Sequence, residues 1–162
     1  MAAKEECFIL FAQLKTDMTK AKALRERVHQ RFGGRCAYCG SLIEYKNMQI
    51  DHYLPQCKQK FYARRFKKDV HAEENLMPSC RRCNHYKRAR TPKQFRELMI
   101  SLHERLEQIY ILKVAVDFGM ATIQPFDGLF YFEKWQKEQA TLAAKKEQSA
   151  EGATIQTSSA SR

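Results

Sequence analysis

Two short stretches, Cys36-Ala-Tyr-Cys39 and Cys80-Arg-Arg-Cys83, constrain this 162-residue chain more than anything else in it. A pair of cysteines two residues apart lets both thiolates of one tight turn reach the same ion. Two such turns make a closed tetrahedral sulfur site of the kind that a structural Zn²⁺ prefers, and Gly40 suits the turn after the first pair. Forty residues separate the two pairs. A plain zinc ribbon needs only about 15–20, so the intervening segment must carry structure of its own. Cys7 and Cys57 stand outside the pattern and read as ordinary thiols.

Composition narrows the setting. The formal charge is +11 and the isoelectric point about 9.5, which points to a polyanionic partner, with nucleic acid the usual one. Four thiolates and one dication would leave the chain strongly basic. No run of 18 apolar residues exists, so no segment reads as membrane-spanning. The apolar run Cys7–Ala12 follows two glutamates and is short. It reads as a buried helix face rather than a secretory signal. The expected setting is therefore a reducing, cytoplasmic one, where cysteines bind metal rather than pair as disulfides.

Along the chain, Ala21, Leu24, Val28 and Phe32 share one helical face, and Gly33-Gly34 stops that helix. Residues 35–56 are turn-rich with short β-like runs, and 58–74 are polar and mostly basic. Thr91, Pro92 and Gln94 form the start of a further helix with a capping box. Phe95, Leu98, Met99, Leu102, Leu106 and Ile109 then repeat at helical spacing up to Gly119, a core-facing stripe. "PFDGLFYFEKW" (125–135) reads as a hairpin or one added strand. From about Ala140 the chain is expected to be briefly helical and then disordered.

The segment between the cysteine pairs contains "IDHYLPQ", an acid beside a histidine at the end of a strand closed by Pro55. With the ordered set "CAYCG", "DHYLPQ" and "ENLMPSCRRCNHYK", residues 35–90 resemble the HNH endonucleases of the ββα-metal fold. The chemistry of the residue types agrees. Phosphodiester hydrolysis needs a base to activate water and a cation to hold the phosphoryl and leaving oxygens. Histidine suits the first role. Carboxylate and amide oxygens suit a hard cation such as Mg²⁺.

The resemblance assigns His52 as general base, and Asp51 and Asn84 as ligands of a catalytic divalent ion. It assigns Asn75 to tying down the loop that carries the base, and Lys87 to facing the phosphate. Cys36, Cys39, Cys80 and Cys83 would hold the structural zinc. The implied class is α+β: a ββα core at 35–91, N-terminal helices at 1–34, a C-terminal helix and short β element at 92–139, and a tail at 140–162.

The implied activity is DNA cleavage by a bacterial or phage-encoded enzyme. One core nicks, and a double-strand break needs two cores, as in a homodimer, or two events. Eleven basic residues lie between Lys58 and Arg90. Of these, Arg64, Arg65, Lys67, Lys68, Arg81, Arg82, Arg88 and Arg90 join Lys87 as candidate DNA contacts.

Two other readings compete. A zinc-stabilised nucleic-acid-binding module without catalysis would share the cysteines and the charge, but it has no need of Asp51, His52, Asn75 and Asn84 together. A zinc nucleobase deaminase would use His71-Ala-Glu73 with Cys80 and Cys83. The gap between those elements is too short for that, and Cys36 and Cys39 would be left unexplained.

Overall fold

A computed structural model describes residues 17–157, with side chains described as far as residue 147; the apolar run Cys7–Ala12 lies outside that range. Helix α1 occupies 17–30 and ends where the sequence places its stop. Gly33 and Gly34 take φ of +61° and +70°, and their N–H groups donate to the Gln30 and His29 carbonyls. Val28 and Phe32 are buried in the core, with Leu24 packed against it.

The first cysteine turn follows. The Gly40 N–H donates to the Cys36 carbonyl, and the Cys36 N–H donates to the Ser41 carbonyl. Strand β1, Gln49–His52, pairs antiparallel with β2, Leu76–Ser79, in the register Asp51 to Met77 and His52 to Leu76. The linker between the strands is not a plain loop. It holds helix α2, Gln59–Phe66. Helix α3, Arg81–Lys87, leaves β2 directly, with Cys80 as its N-cap: the Cys80 sulfur accepts the Cys83 N–H. The order β1, β2, α3 is the ββα arrangement expected for this segment.

The C-terminal part departs from the expectation in two places. The stripe from Phe95 to Ile109 belongs to three short helices rather than one: α4 (Pro92–Ile100), α5 (Leu102–Glu107) and α6 (Tyr110–Asp117). The capping box at Thr91 and Gln94 forms as the sequence indicates. At the first break, the Ser101 hydroxyl and the Arg105 guanidinium both donate to the Leu98 carbonyl. These side chains draw on a carbonyl at the end of α4, a local alternative to extending the backbone ladder. Phe95 is buried, but Ile109 is exposed, so the stripe is core-facing only at its start.

The aromatic run 125–135 is not β. Among the described residues of the C-terminal extension no strand forms, and helix α7 runs from Tyr131 to Thr157. Its entry explains why. The Leu129 N–H donates to Asp127 and the Phe130 N–H donates to Glu133. A glutamate reaching back to the residue before a helix is half of a capping box. Two further N–H groups of the first turn, on Tyr131 and Phe132, donate to the Tyr38 and Ala37 carbonyls. The cysteine turn thus supplies acceptors that a helix start lacks. The helix also continues well past Ala140, where only a brief helix was expected.

The core sits at this junction. Phe95, Phe130, Phe132 and Tyr38 form an aromatic cluster, with Phe95 and Phe130 stacked at 5.1 Å between centroids. Gly40 is where the cysteine turn meets α7. It has φ +74°, and a Cβ built there would lie 2.8 Å from the Tyr131 ring. Gly40→Ala therefore combines backbone strain with a steric clash. It is expected to lower stability by about 1–3 kcal/mol, read as a shift of the urea midpoint without a change in slope.

Candidate metal and nuclease site

The four sulfurs of Cys36, Cys39, Cys80 and Cys83 lie within 4.8 Å of one another. The Cys39 and Cys80 sulfurs are 3.9 Å apart. A tetrahedron with metal–sulfur bonds of about 2.3 Å has edges of about 3.8 Å, so the cluster fits a tetrahedral ion. Two backbone N–H groups, those of Cys80 and Cys83, point at the sulfurs of Cys36 and Cys80. Hydrogen bonds from Cys36 and Cys83 pull the Cys39 thiol far below its ordinary value, while the Cys36 thiol is pushed up to about 11, chiefly by its bond to Cys39. Crowded thiols compete to ionise, and a dication removes that competition. The arrangement also excludes the deaminase assignment. All four cysteines share one cluster, His71 is exposed, and Glu73 is salt-bridged to Arg27 at 2.7 Å.

Helix α3 carries the link from this cluster to the strand. Positions 80, 83, 84 and 87 fall on one helical face, at the i, i+3, i+4, i+7 spacing. The first two point their sulfurs into the cluster. The second two reach β1. Asn84 donates its Nδ2 to Gln49 Oε1 at 2.7 Å, which leaves its carbonyl oxygen as an acceptor. Lys87 reaches further in.

Lys87 differs from the expectation that it faces a phosphate. Its side chain has 0% exposure; Nζ is 2.8 Å from Asp51 Oδ2 and donates to the His52 carbonyl at 2.8 Å. The Tyr38 hydroxyl donates to the same Asp51 oxygen. Burial first, and the Asp51 charge next, raise the Tyr38 phenol well above its ordinary value, so it remains a donor. The side chain goes inward because the i+7 position of α3 lies under β1, where a buried carboxylate awaits a counter-charge. Sequence reasoning gave Tyr38 and Gln49 no role. Nothing local marks either, since their partners are 13 and 35 positions away.

Asn75 is buried and clamps the loop after His52. Its Nδ2 donates to the Leu54 and Val70 carbonyls at 3.0 and 2.7 Å, and its Oδ1 accepts the Leu54 N–H at 2.7 Å. The Asn75 backbone carbonyl accepts the Tyr53 N–H. His52 itself is half-buried, with its ring edge-on to His71 at 5.6 Å. Burial lowers its pKa below the ordinary imidazole value, against the opposing pull of Asp51; His71 and Lys87 add to the lowering.

A cleft of about 400 Å³ brings Asp51, His52 and Asn84 together, with Arg88 and Cys57 on its walls. Neighbouring strand residues point to opposite faces, but β1 ends at His52, and the cleft reaches both side chains at that end. His85 is exposed and does not line the cleft, whereas Asn84 does.

These features lie within one segment of chain. Residues 36–90 match the family model of the HNH endonucleases. Part of the chain is also similar to the CRISPR-associated endonuclease Cas9 of Corynebacterium diphtheriae. The two are 35% identical over 69 residues, which is 43% of this chain and 6% of that protein. The crystal structure of the Type II-C Cas9 enzyme from Actinomyces naeslundii aligns with 76% of this chain and 15% of its own, at 18% identity and a TM-score of 0.40. The chain thus spans a small fraction of the relatives it matches.

Within the matched segment, Arg64, Arg65, Lys67, Lys68, Arg81, Arg82 and Arg88 are exposed. Arg90 is only partly so, and its guanidinium caps the Tyr86 and Lys87 carbonyls at the end of α3. Arg88 holds φ 51° and ψ −137°, close to a region that only glycine occupies without strain. No helix among the described residues is long and apolar enough to cross a membrane.

Two outcomes are expected. Lys87→Met leaves the Asp51 carboxylate buried without its counter-charge and costs about 3–5 kcal/mol in urea unfolding of the metal-loaded protein. Arg88→Gly relieves the strained backbone and raises stability by roughly 1 kcal/mol, read as a higher urea midpoint.

Proposed function

We propose that the chain is a metal-dependent endonuclease that hydrolyses DNA phosphodiester bonds, with His52 as general base and a divalent cation held by Asp51 and Asn84. The observation that carries this reading is the shared cleft. An imidazole, a carboxylate and a carboxamide oxygen meet there, inside the segment that matches the HNH family.

The donor set fits a hard cation. Asp51 commits Oδ2 to Tyr38 and Lys87, leaving Oδ1. Asn84 commits its amide N–H to Gln49, leaving its carbonyl oxygen. Two oxygen donors and several waters suit Mg²⁺. When bound, such an ion offsets the charge that builds on the phosphate and on the departing 3′ oxygen.

Burial favours the neutral form of His52, in which an imidazole nitrogen can accept a proton from the attacking water. Asn75 keeps the loop beyond His52 in place. Attack at phosphorus with loss of the 3′ oxygen yields 5′ phosphate and 3′ hydroxyl ends. One cleft cuts one strand, so a double-strand break takes two chains or two events.

The sulfur cluster takes no part in the chemistry. It would hold zinc as a staple between the first cysteine turn and α3. The exposed arginines on α3 and the Arg88 side chain at the cleft wall would grip the phosphate backbone without reading sequence.

Supercoiled plasmid tests the assignment. Wild-type protein with Mg²⁺ or Mn²⁺ is expected to nick or linearise it, EDTA to stop the reaction, and His52→Ala to lower the rate by at least about 100-fold while keeping its fold and its zinc. Asn84→Ala is the cleaner ligand variant, since changing Asp51 also disturbs Lys87. If DNA binding persists but no metal supports cutting, the protein is instead a zinc-stabilised binding module.

A further inference from the structure

We propose that helix α2 is a stacking platform for unpaired DNA bases, set beside the cleft. The proposal deepens the nuclease reading by naming the form of DNA that the site takes, and it rests on that reading.

The helix has an unusual surface. Phe61 and Phe66 are 56% and 53% exposed, with ring centroids 6.0 Å apart. Tyr62 between them is buried and touches both rings, at 5.3 and 6.2 Å. Tyr62 is the residue of α2 that is buried and anchors the helix, whereas each phenylalanine keeps more than half of its surface in water. An eight-residue helix is marginal by itself, and the outer halves of the two phenyl rings gain it nothing in water.

The charge around the rings says what covers them. Lys58, Lys60, Arg64, Arg65, Lys67 and Lys68 are all exposed. Among the described residues none of the six is ion-paired, and Arg65 lies over the Phe66 ring at 5.9 Å. Lys67 closes the helix at φ 51°, a left-handed position where glycine would be unstrained; the chain keeps a cation there. An apolar protein surface would satisfy the rings but leave the charges facing it without partners. A nucleic-acid strand satisfies both, with phosphates on the cations and base faces on the rings.

Bases in a duplex already stack on each other, so only an unpaired or splayed strand can use these rings. The position suits the cleft. Helix α2 begins two residues after Cys57, whose side chain lines the cleft wall.

Binding measured in the full-length, zinc-loaded His52→Ala background separates this proposal from catalysis. A labelled single strand of about 20 nucleotides and the duplex of the same sequence are titrated by fluorescence anisotropy at several salt concentrations. Adding Phe61→Ala and Phe66→Ala is expected to weaken single-strand binding roughly tenfold or more, to change duplex binding less than about twofold, and to leave the salt slope unaltered. Adding Arg64→Ala and Arg65→Ala instead is expected to weaken both substrates and make the slope shallower.

Phe61→Leu with Phe66→Leu guards against misfolding, because it keeps apolar bulk but removes the π faces; it should lose affinity like the alanine pair. Equal losses on both substrates would overturn the platform, as would leucine variants that bind like their parent, or anionic vesicles that displace the strand from the rings. Plasmid cutting by the wild type with no such discrimination would sink only this proposal. Discrimination without cutting would sink only the nuclease reading.

Discussion

Four sulfurs gathered within 4.8 Å are the constraint on which the rest of this structure hangs. They join a turn at Cys36–Cys39 to the start of α3, across 41 positions of sequence in the Cys39–Cys80 pair. The sheet has only two short strands. Such a pair is not stable in water without something packed against it. The cluster brings α3 onto that pair and presents the Ala37 and Tyr38 carbonyls to the first turn of α7. Loss of the ion would therefore loosen the ββα core and the C-terminal extension together, which is the coupling of metal binding to folding expected of small sites.

The buried ion pair of Lys87 with Asp51 is the second constraint, and it works through geometry more than net energy. Burying two charges costs about as much as their attraction returns, so the pair contributes little as an isolated contact. Its consequence is positional. The ammonium bonds both the Asp51 carboxylate and the His52 carbonyl, and thereby holds the last two residues of β1 against α3. Tyr38 adds a further bond to the same carboxylate oxygen. One oxygen of Asp51 is thus committed to the protein. A substitution at Asp51 would act on stability and on the site at once.

The sulfur cluster could be read from the sequence because its spacing is local. Cysteine pairs two apart announce a turn around an ion. The capping box at Thr91 and the Gly33-Gly34 stop are also local, and the backbone adopts both. The errors fell where local pattern was ambiguous. The aromatic run at 125–135 alternates well enough to suggest a strand. It becomes the entry to α7 because Glu133 and the carbonyls of the cysteine turn satisfy N–H groups at its start. The long stripe from Phe95 breaks at Ser101, where side chains take a carbonyl that periodicity alone cannot see being taken.

What the sequence determined by itself was the inventory and its local placement: four thiolate donors, an acid–histidine pair ending a strand, and an asparagine and a lysine three residues apart on α3. What only the tertiary structure decided was which way those groups face. Lys87 has the charge of a phosphate contact, yet it lies inside because its helical position is under β1, beside a buried carboxylate 36 residues earlier in the chain. Phe61 and Phe66 have the character of core residues, yet they lie mostly outside, and Tyr62 is the residue of α2 that is buried. A side chain's type follows from the residue, but its partner is set by which distant segment is packed over it, and no spacing along the chain encodes that.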